Sequence, residues 1–278
     1  MKTKRGILGL FLALCVVWSM LPLGAFAEDE NAGDEPTHIS TAEDLRAING
    51  NLDGDYVLDG DIDLTDYLGG GSWTPIGTEN VPFTGTFDGN GHSITGLYIN
   101  ASDSNYQGLF GYVGPDGTVK NLTVSGSVSG SSYIGGVVGR NNGGTIENCH
   151  NTVAVSGSGY VGGVVGINLG GTVENCYNTG TVSSENSNAD IGGVVGYLAE
   201  DKYIKGIVKN CYNAGTVNGS ARNVGGVVGY INGGGTATNC YNTGNVSSES
   251  TENHWVGGVV GLNKANNLYE NYVISCYY

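Results

Sequence analysis

A five-residue phrase, Gly-Gly-Val-Val-Gly, recurs through the second half of the chain and constrains the fold more than any other feature. A related stretch, Gly-Leu-Phe-Gly, precedes it at 108–111. The phrase itself begins at Gly135, Gly162, Gly192, Gly225 and Gly257. Aligned on the second glycine, with Gly108 in the first unit, successive units are 28, 27, 30, 33 and 32 residues long. A repeat of this length indicates stacked structural units.

Each unit contains three short strand-like pieces separated by Gly, Asn and Ser, which suits one coil of a parallel β-helix. No unit carries ten residues with helical periodicity, so helical and leucine-rich repeats are excluded. We therefore predict an all-β fold, a parallel β-helix or β-solenoid. By analogy with parallel crossover connections, we predict a right-handed coil. The extra residues of the longer units fall at 184–190, 199–206 and 247–254, and we expect them to project as loops.

A second phrase, Asn-Cys-His/Tyr-Asn, places one cysteine in each unit, and the first unit has a leucine at that position. A position that accepts leucine or cysteine is predicted to be a buried apolar column. Its members are Leu122, Cys149, Cys176, Cys211, Cys240 and Cys276. Metal binding is the alternative, but the paired spacing of a zinc site is missing. After residue 27 the number of cysteines is odd, which excludes complete pairing within the chain.

In the four units from Cys149 to Cys240, the residue after the cysteine is aromatic and faces the opposite side of its strand. These residues are His150, Tyr177, Tyr212 and Tyr241. We predict an exposed ladder of rings on adjacent coils. Such a ladder either stabilises the coils by stacking or binds a sugar or peptide. The flanking asparagines fit ladders of amide hydrogen bonds in the turns: 148, 175, 210 and 239, and 151, 178, 213 and 242.

The amino-terminal residues predict export. Lys2, Lys4 and Arg5 precede an apolar run, and Ala25 and Ala27 provide the small-residue exit of a signal peptide at 1–27. An acidic leader is predicted at 28–37. Cleavage would change the net charge from −15 to −18, because the removed segment holds three basic and no acidic residues. A charge of this size disfavours nucleic acid. We expect a cell-surface or extracellular protein with no membrane insertion after cleavage.

The region 38–107 is predicted to form an amino-terminal cap and the first coils, followed by repeat coils at 108–278. A capping box formed by Ser40 and Glu43, with an apolar face of Leu45 and Ile48, predicts one short helix that covers the end of the solenoid.

Two segments of this region carry residues that could do chemistry. Alternating aspartates at 59–66 resemble a calcium loop, but the glycine is misplaced and the closing Glu is missing. A strand with acids on one face is the other interpretation. We therefore predict no cofactor, with calcium as the alternative. Asp88 and His92 are better explained by a hairpin-like turn than by catalysis.

The two repeated phrases, with 39–45, 73–77 and 83–92, resemble bacterial surface proteins that carry the GLUG motif. The resemblance covers about residues 38–278 and implies an adhesin-like exported array. Related arrays also lie beside the peptidase part of immunoglobulin A1 protease-like metallopeptidases. None of the four histidines here begins His-Glu-x-x-His, so that zinc module is absent.

We expect an exported non-catalytic scaffold that binds an extracellular glycan or protein. A carbohydrate-active β-helix enzyme, either a polysaccharide lyase or a glycoside hydrolase, is one alternative. The sequence disfavours it, because no coil presents an obvious pair of carboxylates. The other alternative is that the chain is the amino-terminal fragment of a larger surface protein.

Overall fold

The computed structural model describes residues 35–250, 254–265 and 270–278. The predicted signal peptide, and leader residues 28–34, lie outside the described residues. Thr37, predicted to end the leader, lies in the first strand. The helical elements are α1 (Ala42–Ala47), a 3-10 turn (Ile48–Gly50) and α2 (Thr65–Leu68).

The strands of the described chain are short. They are β1 (Thr37–Ile39), β2 (Tyr56–Leu58), β3 (Ile62–Asp63), β4 (Thr86–Asp88), β5 (Ser93–Ala101), β6 (Phe110–Val113), β7 (Thr118–Lys120), β8 (Thr123–Gly130), β9 (Ile134–Gly135), β10 (Val138–Asn142), β11 (Thr145–Glu147), β12 (His150–Asn151), β13 (Ala154–Ser156), β14 (Tyr160–Gly162), β15 (Val165–Leu169), β16 (Thr172–Glu174), β17 (Tyr177–Asn178), β18 (Val182–Ser184), β19 (Asp190–Gly192), β20 (Val195–Ala199), β21 (Ile207–Lys209), β22 (Tyr212–Asn213), β23 (Val217–Gly219), β24 (Asn223–Gly225), β25 (Val228–Asn232), β26 (Thr236–Thr238), β27 (Tyr241–Asn242), β28 (Val246–Ser248), β29 (Trp255–Gly257), β30 (Val260–Lys264) and β31 (Tyr272–Ile274).

These strands form four sheets in which neighbours come from successive coils. Sheet 1 has the order β1-β2-β4-β7-β11-β16-β21-β26-β31, and sheet 2 has the order β6-β10-β15-β20-β25-β30. Sheet 3 contains β3, β5 and β8, from which two columns continue, one through β12 to β27 and one through β13 to β28. Sheet 4 has the order β9-β14-β19-β24-β29. In the repeat coils from β9 onwards, each complete turn of the chain contributes to all four sheets, so the predicted parallel β-solenoid is confirmed.

The register of sheet 2 confirms the alignment of the repeats. Phe110 pairs with Val138, Val138 with Val165, and the series continues through Val195 and Val228 to Val260. These pairs have the same spacings as the glycine phrases, so equivalent residues lie one coil apart. The predicted right hand of the coil stays a prediction.

The thiol column lies in the interior. Leu122 is 2% exposed, four of the cysteines are fully buried, and Cys276 is partly exposed. Each Sγ lies within hydrogen-bonding distance of the carbonyl oxygen two residues earlier, as in the 3.1 Å contact from Cys176 to Glu174. Burial raises the pKa of the Cys211 thiol, so this side chain stays protonated and behaves as a small apolar group.

A column of buried asparagines runs beside the thiols. Its members, which we call the asparagine ladder, are Asn151, Asn178, Asn213 and Asn242. Each Nδ2 donates to Oδ1 of the next member at 2.7–2.8 Å. Each Nδ2 also donates to the carbonyl oxygen two residues further along, and each Oδ1 accepts from the backbone N–H there. Because both ends of the amides are bonded, burying them avoids the cost of unpaired polar atoms.

The second glycine of each of the first four repeated phrases makes room for this ladder. A Cβ added at Gly136 would lie 1.9 Å from Oδ1 of Asn151, and one at Gly193 would lie 2.3 Å from Cγ of Asn213. The glycine and the asparagine are far apart within the repeat sequence, but they meet in the interior of the coil. The asparagine side chain therefore needs a residue without a Cβ at the glycine position.

The first asparagine of the second phrase serves a different purpose, because it forms the corner between sheets 1 and 3. Asn148, Asn175, Asn210 and Asn239 have φ between 51° and 53°. Asparagine tolerates this left-handed conformation better than most side chains. Their exposed amides also bond between coils, for example from Asn148 to Asn121 at 3.0 Å. The amide ladders predicted from the sequence are thus of two kinds, one at the corner and one in the interior.

The amino-terminal helix occupies the first coil, between β1 and β2, and buries Leu45 and Ile48 as predicted. The predicted capping residues were wrong by one position. Thr41 is the N-cap and forms the capping box with Asp44. The Ser40 hydroxyl lies outside the capping box and donates to Asp59 at 2.9 Å.

Two other expectations for the cap are corrected. The segment 59–66 is a strand only over β3 and then turns into the short helix α2, so the cap contains a second helix. The predicted hairpin-like turn at 83–94 is a corner between two sheets, because β4 pairs in sheet 1 and β5 in sheet 3. Left-handed Asn90 and Gly91 turn the chain there.

The crowding at the glycines predicts a large difference between two alanine substitutions. In Gly163→Ala the new Cβ would lie 2.1 Å from the carbonyl oxygen of Gly193 and 2.5 Å from Cγ of Asn178. We expect unfolding free energy to fall by about 1–3 kcal/mol or more. Gly60→Ala is the control, since nothing lies within 4 Å of its Cβ. Chemical denaturation measures both, and equal stabilities would contradict the stacked interior.

The burial of the thiol column predicts an order of reactivity. In the native protein an aromatic disulfide reagent should react first at Cys276, while the four buried thiols should react only on unfolding. Mass spectrometry after timed labelling locates the modified residues. Rapid native labelling of Cys176 or Cys211 would show that the column is not in the interior.

Candidate binding surfaces

The four aromatic residues predicted from the sequence form a continuous stack on sheet 3, which we call the ring ladder: His150, Tyr177, Tyr212 and Tyr241. The rings of His150 and Tyr177 have centroids 3.7 Å apart and planes 19° apart. The two following pairs are separated by 4.8 and 4.9 Å, and their planes differ by 4°. Parallel pairing of β12, β17, β22 and β27 in register produces this geometry.

The stack determines what the ring ladder can offer a ligand. The ladder was predicted to be exposed; Tyr241 is 44% exposed, and His150, Tyr177 and Tyr212 are partly exposed. The faces of the inner rings are covered by their neighbours, so the solvent meets ring edges and hydroxyls. Burial also lowers the pKa of His150, which keeps it neutral in the stack. The ladder therefore suits edge-on hydrogen bonding more than face-on stacking.

A second aromatic surface lies where sheets 2 and 4 meet, and sequence reasoning missed it. Its members, which we call the corner tyrosines, are Tyr106, Tyr112, Tyr133, Tyr160, Tyr197 and Tyr230. Centroids of successive rings are 4.8–5.8 Å apart. Tyr106 and Tyr133 are nearly parallel, but the planes of Tyr160 and Tyr197 differ by 57° and those of Tyr197 and Tyr230 by 89°.

The last glycine of the repeated phrase brings the two sheets together at this corner. A Cβ at Gly139 would lie 2.8 Å from the carbonyl oxygen of Tyr133, and one at Gly196 would lie 2.6 Å from the backbone nitrogen of Val161. Tyr106 and Tyr133 also have positive φ, of 59° and 62°. That conformation costs a non-glycine residue about 1–2 kcal/mol, which the surrounding coils must offset.

The charged groups at one end of the corner tyrosines are paired with each other. The guanidinium of Arg140 lies 5.0 Å from the ring centroid of Tyr112 and 3.8 Å from the carboxylate of Glu79.

Burial raises the pKa of the Tyr160 hydroxyl to about 12, and burial raises the pKa of Tyr197 as well. The phenols are therefore protonated and neutral over the physiological range.

A buried carboxyl lies in the same column of sheet 4. Asp190 pairs in register with Tyr160 on one side and with Asn223 on the other, and both polar residues are buried. Nδ2 of Asn223 donates to Asp190 Oδ1 at 2.5 Å, while Asn223 Oδ1 has no partner among the described residues. Burial raises the pKa of Asp190 to about 6, because a single amide and nearby Arg222 compensate only part of the lost solvation.

The other sequence candidates are separate and are engaged locally. Asp59 accepts from Ser40 and lies 2.5 Å from His38, Asp61 accepts from the backbone of Ser93, and Asp63 from that of Thr65. Over the described ranges, no group of three His, Cys, Asp or Glu side chains is placed to hold a metal ion.

The two residues considered for catalysis serve the corner that follows β4. Asp88 accepts from the backbone of Asn90 at 2.8 Å and from Asn121 at 3.0 Å, and it lies 3.4 Å from Lys120. His92 is 3.6 Å from Asp61. The contacts of Asp88 bind the turn to the next coil and favour a structural role.

A signal for the corner tyrosines was present in the sequence. Tyr112, Tyr197 and Tyr230 directly follow the last glycine of their phrases, and Tyr133 and Tyr160 stand two residues before the first glycine. Neither of these two sets of equivalent positions holds a tyrosine in every unit, so the sequence does not show that the two sets meet in space. The tight corner brings them together and lets the rings cross from one column to the other.

The coils and their two aromatic surfaces define a repetitive parallel β-solenoid. The family model described as the GLUG motif matches three stretches, 130–156, 157–183 and 187–218. The resemblance inferred from the sequence is confirmed for these coils. In the described part of the chain, no helix is long and apolar enough to cross a membrane.

Two relatives show the kind of protein that carries similar sequence. A protein of Evansella cellulosilytica, named as a candidate Gly-rich membrane protein, is 37% identical over 160 residues, which are 51% of this chain and 18% of that protein. Halomucin of Haloquadratum walsbyi is 35% identical over 131 residues, 44% of this chain and 1% of that protein. The chain therefore spans less than a fifth of the length of these relatives.

A solved structure shares the fold. The crystal structure of a candidate immunoglobulin A1 protease from Bacteroides ovatus superposes with a TM-score of 0.52 over 83% of this chain and 84% of that one, at 22% identity. At this identity the likeness concerns the fold alone.

The raised pKa of Asp190 predicts a pH-dependent effect of removing its charge. Because the folded state holds the Asp190 proton more tightly than the unfolded state, the contribution of Asp190 to stability should be most favourable below about pH 4 and should be lost as pH rises through about 6. The Asp190→Asn variant should not show this loss, and at pH 8 its free energy of unfolding should exceed that of the wild type by about 3 kcal/mol. Denaturation at pH 4 and pH 8 measures the difference, with exposed Asp66→Asn as control. A gap that is the same at both pH values would contradict the prediction.

Proposed function

We propose that this protein is an exported, non-catalytic surface scaffold that presents the wall of its solenoid to an extracellular glycan or protein. The observation that carries the proposal is the in-register stack of coils, which repeats aromatic side chains along one straight wall. A wall of this kind offers many equivalent contacts to an elongated partner.

The similar proteins support the surface role. One relative is named a membrane protein and the other a mucin, and both names belong to cell-envelope or extracellular proteins. The predicted signal peptide and the acidic composition agree with such a location. The activities of the whole relatives are not transferred, because the chain matches only part of each.

Several local contacts support the non-catalytic part of the proposal. Asp88 is tied to Lys120 and Asn121, and Glu174 lies 2.7 Å from Lys209 of the next coil. A general acid or base needs a carboxyl that is available to a substrate proton. These carboxylates instead connect coil to coil.

The ring ladder is the first candidate contact surface under this proposal. Its edges present the hydroxyls of Tyr177, Tyr212 and Tyr241 in a row with the imidazole of His150, whose Nε2 lies 3.0 Å from Thr179 Oγ1. Hydroxyls in a row can hydrogen-bond to a peptide or to sugar hydroxyl groups.

Three measurements test the proposed function. A carboxy-terminally tagged full chain in a bacterial host should be digested by protease added to intact cells. The purified chain should bind members of an array of glycans and extracellular matrix proteins, and it should release neither reducing ends nor unsaturated products from polysaccharides. A tag protected in intact cells would contradict the surface role. Product release that a single carboxylate substitution abolishes would establish the enzyme alternative.

A further inference from the structure

We propose that the corner tyrosines, centred on Tyr160, Tyr197 and Tyr230, bind a neutral glycan strand in extended conformation along the stacking direction of the coils. The inference rests on the proposed function only in that an exported scaffold meets extracellular glycans. It assigns the ligand contact to a different surface from the ring ladder.

The orientation of the rings distinguishes the two surfaces. In the ring ladder, planes that differ by 4° cover each other's faces. At the corner, Tyr160 and Tyr197 are inclined by 57°, and Tyr197 and Tyr230 by 89°. An inclined neighbour covers only part of a ring face, so partly exposed Tyr160 and Tyr230 keep a face for the apolar side of a sugar ring.

The polar atoms at the corner suit sugar hydroxyl groups. The Tyr197 hydroxyl accepts from Asn232 Nδ2 at 2.9 Å, which leaves its own hydrogen available for donation. Because burial raises the pKa of Tyr160 to about 12 and also raises the pKa of Tyr197, these two phenols can donate and accept at neutral pH. Aromatic surface with a few convergent polar groups is the usual composition of a small-molecule subsite.

The charges around the corner favour a neutral ligand. Arg140 is already engaged with Glu79 and with the ring of Tyr112, and the guanidinium of Arg222 lies 5.7 Å from the ring centroid of Trp255. Asp190 is 6% exposed, so its charge is not presented to a partner. The chain as a whole carries −15, which would repel an anionic polysaccharide. A neutral strand avoids this repulsion and loses no strongly hydrated charge on binding.

The arrangement of the rings favours an extended strand. The corner tyrosines belong to successive coils, and neighbouring centroids are 4.8–5.8 Å apart. This spacing is close to the length of one sugar unit in an extended β-linked chain. A strand parallel to the stacking direction can therefore contact several rings with successive units, and small contributions add along its length.

The test uses the full chain and two neutral probes, cellohexaose and chitohexaose, with polygalacturonate as an anionic comparison. Titration calorimetry should detect binding of at least one neutral hexasaccharide. Tyr160→Leu and Tyr230→Leu should each weaken that binding by about tenfold, because each removes one stacking face. Tyr230→Phe, which keeps the ring, should bind within about threefold of the wild type.

Tyr98→Leu is the matched control, because it removes an exposed tyrosine of β5 that belongs to neither aromatic surface. It should bind as the wild type does. Thermal denaturation of each variant establishes that it is folded, and Tyr160→Leu and Tyr230→Leu test the corner independently of each other. Failure of the wild type to bind either hexasaccharide would overturn the proposal, as would equal losses in Tyr98→Leu and Tyr230→Leu, or preference for polygalacturonate. A chain that is digested on intact cells but binds neither probe would refute this inference alone and leave the surface role standing.

Discussion

The buried asparagine ladder can exist only because a glycine stands opposite each of its members. An amide inside an apolar cylinder is costly unless every donor and acceptor is bonded, and here the equivalent amides of the coils on either side provide partners. The side chain of Asn178 needs the space that a Cβ at Gly163 would fill. This pairing favours a single register, because a slip of one residue towards the amino terminus of the phrase would leave glycine at this position and a slip the other way would bring a valine against the amide. The side chains on the outside of the solenoid are aligned between coils by the same register.

The two aromatic surfaces are consequences of the same register with different local geometry. On sheet 3, tyrosines at equivalent positions of successive coils stack on one another, and each ring covers a face of its neighbour. At the corner of sheets 2 and 4, the close approach permitted by Gly139 and Gly196 brings two different columns into contact. The rings there incline towards each other and keep part of their faces exposed. A repeat protein can thus hold a stabilising ladder and a candidate contact surface made of the same residue type.

The amino-terminal cap shows the limits of local sequence signals. Helix α1 was recognisable from its apolar face, but its capping box was predicted one residue too early. The Ser40 hydroxyl instead donates to Asp59, which lies beside it on the following coil. Likewise, Asn90 and Gly91 read as a hairpin turn, although they turn the chain between two sheets. A turn residue indicates that the chain bends, but it does not indicate whether the two flanking strands pair with each other or belong to different sheets.

The repeats were enough to predict the solenoid, the length of each coil, the buried thiol column and the stack of His150, Tyr177, Tyr212 and Tyr241. They were enough because in-register stacking converts a period along the chain directly into contact between coils. The tertiary structure was needed to show how the aromatic rings are inclined to one another, that Asn151 and its equivalents lie inside, and that Tyr160 meets Tyr197. Those contacts join positions in different strands of the coil, and they depend on how tightly the chain bends at each corner. The bend is set by packing at glycine, a residue that leaves the backbone free and therefore does not specify the angle in the sequence.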